Sequence, residues 1–233
     1  MKLWSIIKEY LQDFVDMVYP RVCLGCDTIL LYQEEHICMR CKFSLPKTNY
    51  HTRKPNRLDQ KFVFEPKVMA VAAYLHYNKK GIARKLIGEL KYKGVQEVGS
   101  MLGYWFANDL KAAEWPVDLI IPVPLHVSKL KRRGFNQSEI IANGLAENLK
   151  VPVVTDVVSR VKNTNTQTRK NKVERWQNMD MVYSVQNTTL IKGKNVLVVD
   201  DVLTTGATMG QLVESLAKEG VAGIYIATLA AGQ

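Results

Sequence analysis

At 233 residues, with 47% hydrophobic and 23% charged residues, the chain has the make-up of a soluble globular protein: one sizeable core and room for a small accessory module. Its net charge of +10 points to a polyanionic partner (nucleic acid, nucleotide phosphates or an anionic membrane face), with a basic surface kept for solubility as the plainer explanation. No apolar run reaches the roughly 18 residues of a membrane span, and the amino-terminal stretch lacks a signal-peptide cleavage site, so a cytoplasmic protein is expected.

Residues 3–18 carry apolar side chains at helical spacing, from Leu3, Ile6 and Ile7 to Phe14, Val15 and Val18, and Pro20 ends the pattern. A helix packed on its own domain is the preferred reading. A membrane-surface helix is the sharper alternative, disfavoured because Glu9, Asp13 and Asp16 interrupt the polar face. That alternative would place the chain peripherally at the inner face of the membrane.

Cys23-x2-Cys26 and Cys38-x2-Cys41 follow at once and use every cysteine of the chain. Two such knuckles can set four thiolates tetrahedrally around Zn²⁺, with Gly25 permitting the first turn. Two disulfides are disfavoured by the compartment. The closed ligand set implies a structural ion without catalysis, and residues 1–45 read as an amino-terminal helix plus a four-cysteine zinc-binding module.

Residues 46–67 read as a basic linker. Lys47, Arg53, Lys54, Arg57, Lys61 and Lys67 face Asp59 and Glu65 alone, and Pro46, Pro55 and Pro66 break any helix. Tyr50, Phe62 and Phe64 interleave with the charges, a pattern compatible with stacking on single-stranded bases or with simple anchoring.

The main domain is expected over 68–233. The pattern predicts a strand at 68–77, helices at 79–93 and 98–112, and a buried strand from Asp118 that Pro122 and Pro124 turn into a loop. That loop carries His126, Lys129, Lys131, Arg132 and Arg133, cations suited to phosphate oxygens. A helix at 137–150, a strand at 153–158 and a polar segment at 160–178 come next, the last with the length and composition of a functional lid or a disordered segment. A strand at 224–229 closes an α/β sheet of alternating units.

Residues 196–199 are a short apolar run of the kind found in buried parallel strands, and the run ends on Asp200 and Asp201. Thr204-Thr205-Gly206-Ala207-Thr208 then turns into a helical pattern with Leu212, Val213 and Leu216 on one face. Backbone N–H groups, hydroxyls and the positive helix end would cradle a phosphate there, while the adjacent acids would bind sugar hydroxyls, directly or beside Mg²⁺. A Walker-type nucleotide site would need a G-x-x-x-x-G-K-[ST] loop, which the chain lacks.

This string resembles the phosphoribosyl-pyrophosphate (PRPP) loop of type I phosphoribosyltransferases. Together with the cysteine knuckles, Leu90-Lys91-Tyr92-Lys93-Gly94, the 121–124 Ile-Pro-Val-Pro run and Arg133-Gly134-Phe135-Asn136-Gln137, it is similar to the ComF family. The resemblance implies a phosphoribosyltransferase-like parallel sheet flanked by helices. It implies that Asp200 and Asp201 bind ribose hydroxyls with Mg²⁺ nearby, that Thr204, Thr205, Gly206, Ala207 and Thr208 hold the 5′-phosphate, and that Leu125 and His126 form the pyrophosphate loop. Arg132 and Arg133 would supply charge, with Arg133 joining the two acids as a catalytic residue. Gln167, Arg169, Arg175 and Asn178 would lie on a mobile catalytic loop. It further implies a role in uptake of transforming single-stranded DNA, with a helicase-like ATPase and membrane channel proteins as partners.

Two functions of different class follow: a PRPP–Mg²⁺-binding competence protein, and a non-catalytic module binding single-stranded DNA or a partner on the same scaffold. A base-salvage phosphoribosyltransferase is the third, disfavoured because salvage needs neither zinc knuckles nor a basic linker.

Overall fold

The strand that carries the acids explains the architecture. In β5 (Asn195–Leu203), Val196, Leu197, Val198 and Val199 are all fully buried. Leu197 and Val199 point into one apolar cluster, Val196 and Val198 into another. A strand covered on both faces loses the usual polar alternation, which is why it reads as a continuous apolar run.

The structure, a computed structural model, describes residues 18–162 and 181–232. Its main sheet is wholly parallel, in the order β1 (Val68–Tyr77), β6 (Gly223–Gly232), β5 and β2 (Leu119–Pro122). A separate antiparallel pair is formed by β3 (Val158–Lys162) and β4 (Met181–Val185). Of the helices, α1 (Met39–Phe43) lies in the cysteine module, α2 (Ile82–Gly88), α3 (Gln96–Ala112) and α5 (Gln137–Leu149) cover one sheet face, and α6 (Ala207–Lys218) covers the other. A short α4 (Val127–Arg133) follows β2. The expected phosphoribosyltransferase-like arrangement of a parallel sheet flanked by helices is present.

Helices α3 and α5 touch backbone to backbone. A Cβ placed on Gly144 would run into the Ser100 carbonyl, and one on Gly103 into the Ile141 carbonyl. A glycine inside a helix costs about 1 kcal/mol relative to alanine; here it permits a close approach that fixes the middle of α5 against α3.

The cysteine module packs on the domain, since Cys23, Cys38 and Cys41 share an apolar cluster with Leu86, Leu102 and Phe106. Among the described residues no helix is long and apolar enough to cross a membrane. The helix expected at 3–18 lies, apart from Val18, outside the described residues, as does most of the polar segment at 160–178.

Several expectations are corrected in detail. Residues 46–67 pack on β1 and are no solvated linker: Leu58 and Phe62 are buried, and Phe62 stacks obliquely on Phe64, so Phe62 offers no face to a base. The segment is ordered by polar groups: the Asn56 amide donates to the Val71 carbonyl at 2.9 Å, and its Oδ1 accepts from Leu58 N at 2.8 Å. The loop after β2 contains helix α4 because His126 caps it, its Nδ1 accepting from Ser128 N. At 153–158 only a bridge at Val153 forms, and the strand begins at Val158. The stretch 79–93 is α2 followed by a π-helical turn, Glu89–Lys93, closed by Gly94 at φ 74°. The strand at the acids runs past them to Leu203, because Val202 and Leu203 still pair with Ala230 and Ala231.

Candidate functional site

At the carboxyl edge of the sheet a cleft of about 310 Å³ opens between β5, the 204–208 turn, the loop after β2 and the π turn. Gly206, at φ 86°, occupies the position before α6 and has no side chain to cap it; the one side-chain contact to the first turn is a long one, Ala207 N donating to Thr205 Oγ1 at 3.4 Å. The amino end of α6 therefore keeps N–H groups for an anion. Thr204, Thr205, Gly206, Ala207 and Thr208 all line the cleft, opposite Lys129, Arg133 and Arg160.

The two acids are held from the head of α5 and from the π turn. Ser138 Oγ donates to Asp200 Oδ1 at 2.8 Å, and Gln137 Nε2 donates to Asp201 Oδ2 at 2.9 Å. Lys91 Nζ pairs with Asp201 Oδ1 at 2.8 Å. Asn136 aims this constellation: its Oδ1 accepts from Ser138 N, capping α5, and its amide donates to the Val123 carbonyl. Removal of the Asp200 carboxyl from water, and secondarily the charge of Asp201, push its pKa up to about 7. Two buried polar atoms at the cleft have no partner, the donor Arg133 Nη1 and the acceptor Gln137 Oε1. An orphaned donor and an orphaned acceptor beside the acids fit a ligand carrying both phosphate oxygens and hydroxyls.

The second constellation is the cysteine cluster, whose four Sγ atoms lie within 4.8 Å of one another. Cys26 Sγ and Cys38 Sγ are 3.7 Å apart, far from the ~2.05 Å of a disulfide. That separation suits two ligands of a tetrahedral ion with metal–sulfur bonds of about 2.3 Å. Backbone N–H groups of Gly25 and Cys38 point at Cys23 Sγ, and that of Cys41 at Cys38 Sγ, which favours thiolates there, whereas burial and the neighbouring sulfurs push the Cys41 thiol well up. The Thr28 hydroxyl beside Cys26 lowers that thiol to about 6. The cluster can hold a metal ion.

The family profile for a phosphoribosyl transferase domain matches residues 131–233, which include α5, both acids and the threonine turn. Competence protein F of Haemophilus influenzae is 36% identical over 114 residues, covering 48% of this chain and 50% of its own. The DNA utilization protein YhgH of Escherichia coli is 28% identical over 146 residues, 60% of this chain and 63% of its own. The chain thus spans between half and two thirds of the length of these two relatives. Competence protein ComFC of Bacillus subtilis is 21% identical over 230 residues, 88% of this chain and 92% of its own. Together these matches support a ComF-family, phosphoribosyltransferase-like reading of the chain. Among solved structures, a glutamine PRPP amidotransferase from B. subtilis overlays 58% of it and 26% of its own chain, at a TM-score of 0.41 and 21% identity.

The site residues expected from sequence fall into three groups. Asp200, Asp201, Thr204 to Thr208, Leu125 and Arg133 converge on the cleft. His126 does not line it, because its ring is engaged in capping α4, and Arg132 is likewise absent from the lining. Gln167, Arg169, Arg175 and Asn178 lie outside the described residues. Three residues at the acids had no role assigned from sequence: Lys91, Gln137 and Ser138. No local signal marked them: Lys91 is brought in by the π turn, and Gln137 and Ser138 are polar residues of the first turn of α5 that become buried only in the folded chain.

Proposed function

We propose that this ComF-family chain binds PRPP with Mg²⁺ in the cleft at Asp200–Thr208 and serves the handling of incoming single-stranded DNA. The observation that carries the first part is one cleft joining two held carboxylates to an uncapped helix end rich in hydroxyls. The 5′-phosphate would lie against the 204–208 turn, the ribose hydroxyls would donate to Asp200 and Asp201, and Arg133 and Lys129 would face the pyrophosphate. Mg²⁺ would neutralise pyrophosphate charge on departure. The acids, in turn, would stabilise positive charge developing on the ribose, an electrostatic contribution that gains from exclusion of water. The second part is supported by the relatives' names, competence protein and DNA utilization protein; a cytoplasmic location, and partners such as a helicase-like ATPase and membrane channel proteins, belong to the same proposal and rest on the family resemblance. Structural Zn²⁺ is the ion we assign to the cysteine cluster.

Calorimetric titration of PRPP with Mg²⁺ tests the core of this reading. Wild type is expected to bind, and Asp200→Ala/Asp201→Ala to lose binding. A folded, zinc-replete wild type that takes up no PRPP overturns it.

A second reading is supported by a neighbouring groove of about 410 Å³, bordered by Lys79, Lys80, Arg84 and Lys93 and by Tyr92, which is 81% exposed. Cations beside an open aromatic face suit single-stranded nucleic acid, although Lys93 also pairs with Glu89. Under this reading the chain is a non-catalytic module, and filter binding should show single-strand affinity that falls steeply with salt and survives Asp200→Ala/Asp201→Ala.

A further inference from the structure

Asp201 reaches the cleft with both carboxylate oxygens engaged, and its two partners are unlike. Gln137 is 5% exposed and sits at the head of α5, which Gly144 and Gly103 lock against α3. It is part of the frame. Lys91 keeps 20% of its side chain in contact with solvent and belongs to a π turn, a rare backbone form found frequently at functional sites. A divalent cation at Asp201 Oδ1 would stand against an ammonium 2.8 Å from the same atom, so the two cannot share it. Lys91 lines the same cleft as the Thr204–Thr208 turn and Arg133, so phosphate oxygens held there would offer the ammonium another anion.

We propose that Lys91 is an exchangeable counter-ion. It neutralises Asp201 while the cleft is free of ligand and passes to a phosphate oxygen of the ligand when Asp201 takes a cation or a sugar hydroxyl. The site thereby avoids two naked carboxylates at rest, and Lys91 joins the diphosphate ligands on loading. This assignment rests on the PRPP–Mg²⁺ reading above, and it names a role for Lys91 that the acid pair and the threonine turn do not supply.

The exchange predicts effects of opposite sign from one substitution. In zinc-replete Lys91→Met, bare Mn²⁺, followed by the paramagnetic resonance of the free ion, should bind about fivefold or more tightly than in wild type, because its competitor is gone. PRPP and inorganic pyrophosphate with Mg²⁺, followed by calorimetry, should bind about fivefold or more weakly, because a phosphate ligand is gone. Lys91→Arg should keep both affinities near wild type. If the Met variant does not fold, Lys91→Gln makes the same comparison. Mn²⁺ affinity that stays level or falls overturns the exchange, and so does unchanged pyrophosphate affinity. Wild type that binds PRPP beside a Lys91→Met variant equal to it in both measurements defeats the exchange alone. Wild type that takes up neither PRPP nor pyrophosphate defeats the exchange and the functional reading together.

Discussion

The chain gathers negative charge twice, and it does so by different rules. At the cysteine cluster four sulfurs converge with backbone N–H groups aimed at them and no cationic side chain among the ligands. Four thiolates so close together are stable only around an ion. At the acid pair, two carboxylates are held by an amide, a hydroxyl and the chain's own ammonium. The first cluster has only an ion to balance its sulfurs, whereas the acids of the second already have partners from the chain itself. An integral charge belongs in the core, and the cysteine module does share a cluster with α2 and α3. An exchangeable charge belongs at a sheet edge, facing a cleft that a ligand can enter.

The comparison breaks most visibly if the cysteine ion proves dispensable. Structural zinc contributes about 10–16 kcal/mol in small zinc modules. Chelation, or Cys38→Ser, should therefore lower the melting temperature by at least ~20 °C, at about 2–4 °C per kcal/mol for a chain of this size. An unchanged melt in metal-free protein would show that the cluster is not integral.

Asp201→Ala should do the reverse. PRPP affinity should drop roughly 100-fold, since a carboxylate hydrogen bond of about 1.5–3 kcal/mol is lost, while the melt moves by no more than a few degrees. Loss of fold in place of loss of binding would make the acid pair a structural element too.

Asp200 sharpens the contrast through pH. Its pKa is raised from 3.8 to about 7, first by withdrawal from water and then by Asp201, so the folded state holds this proton more tightly than the unfolded chain. Between pH 4 and pH 7 the unfolded state therefore ionises first, and this contribution to stability declines as pH rises, then levels off above about 7. Thermal melts across that window should show a component of decline in wild type that Asp200→Asn lacks. If the two proteins run parallel, the acids are better solvated than their setting indicates.

The smallest effect is expected of Ser138→Ala. It removes one neutral donor to Asp200, worth about 1 kcal/mol, and should weaken PRPP about fivefold in calorimetry without altering the zinc content.

The two regions also differed in how readily they could be read from sequence. The cysteine spacing and the string from Val196 to Thr208 are local signals: each ligand set lies within a few residues of itself. The acid pair's partners are not local. Lys91 is brought to Asp201 by a π turn, and Gln137 and Ser138 by the close crossing of α3 and α5, neither of which has a periodicity that betrays it. The segment 46–67 misled for a related reason. Its many cations suggested a solvated strand of chain, whereas Leu58, Phe62 and Asn56, at irregular spacing, fasten it to β1. His126 sits where a pyrophosphate loop was expected, but a competing local bond to Ser128 turns its ring to capping.

The strand order carries a consequence for modularity. The matched domain segment, 131–233, contributes β5 and β6 to the main sheet, yet β1 flanks them on one side and β2 on the other. Both come from earlier in the chain. Excised alone, the segment would keep its acids and its threonine turn on a two-stranded remnant with both long edges bare, open to pairing with any strand that arrives. The amino-terminal half is thus the bracket that keeps the site-bearing half from polymerising, and a transplant of this site into another scaffold must carry both flanks with it.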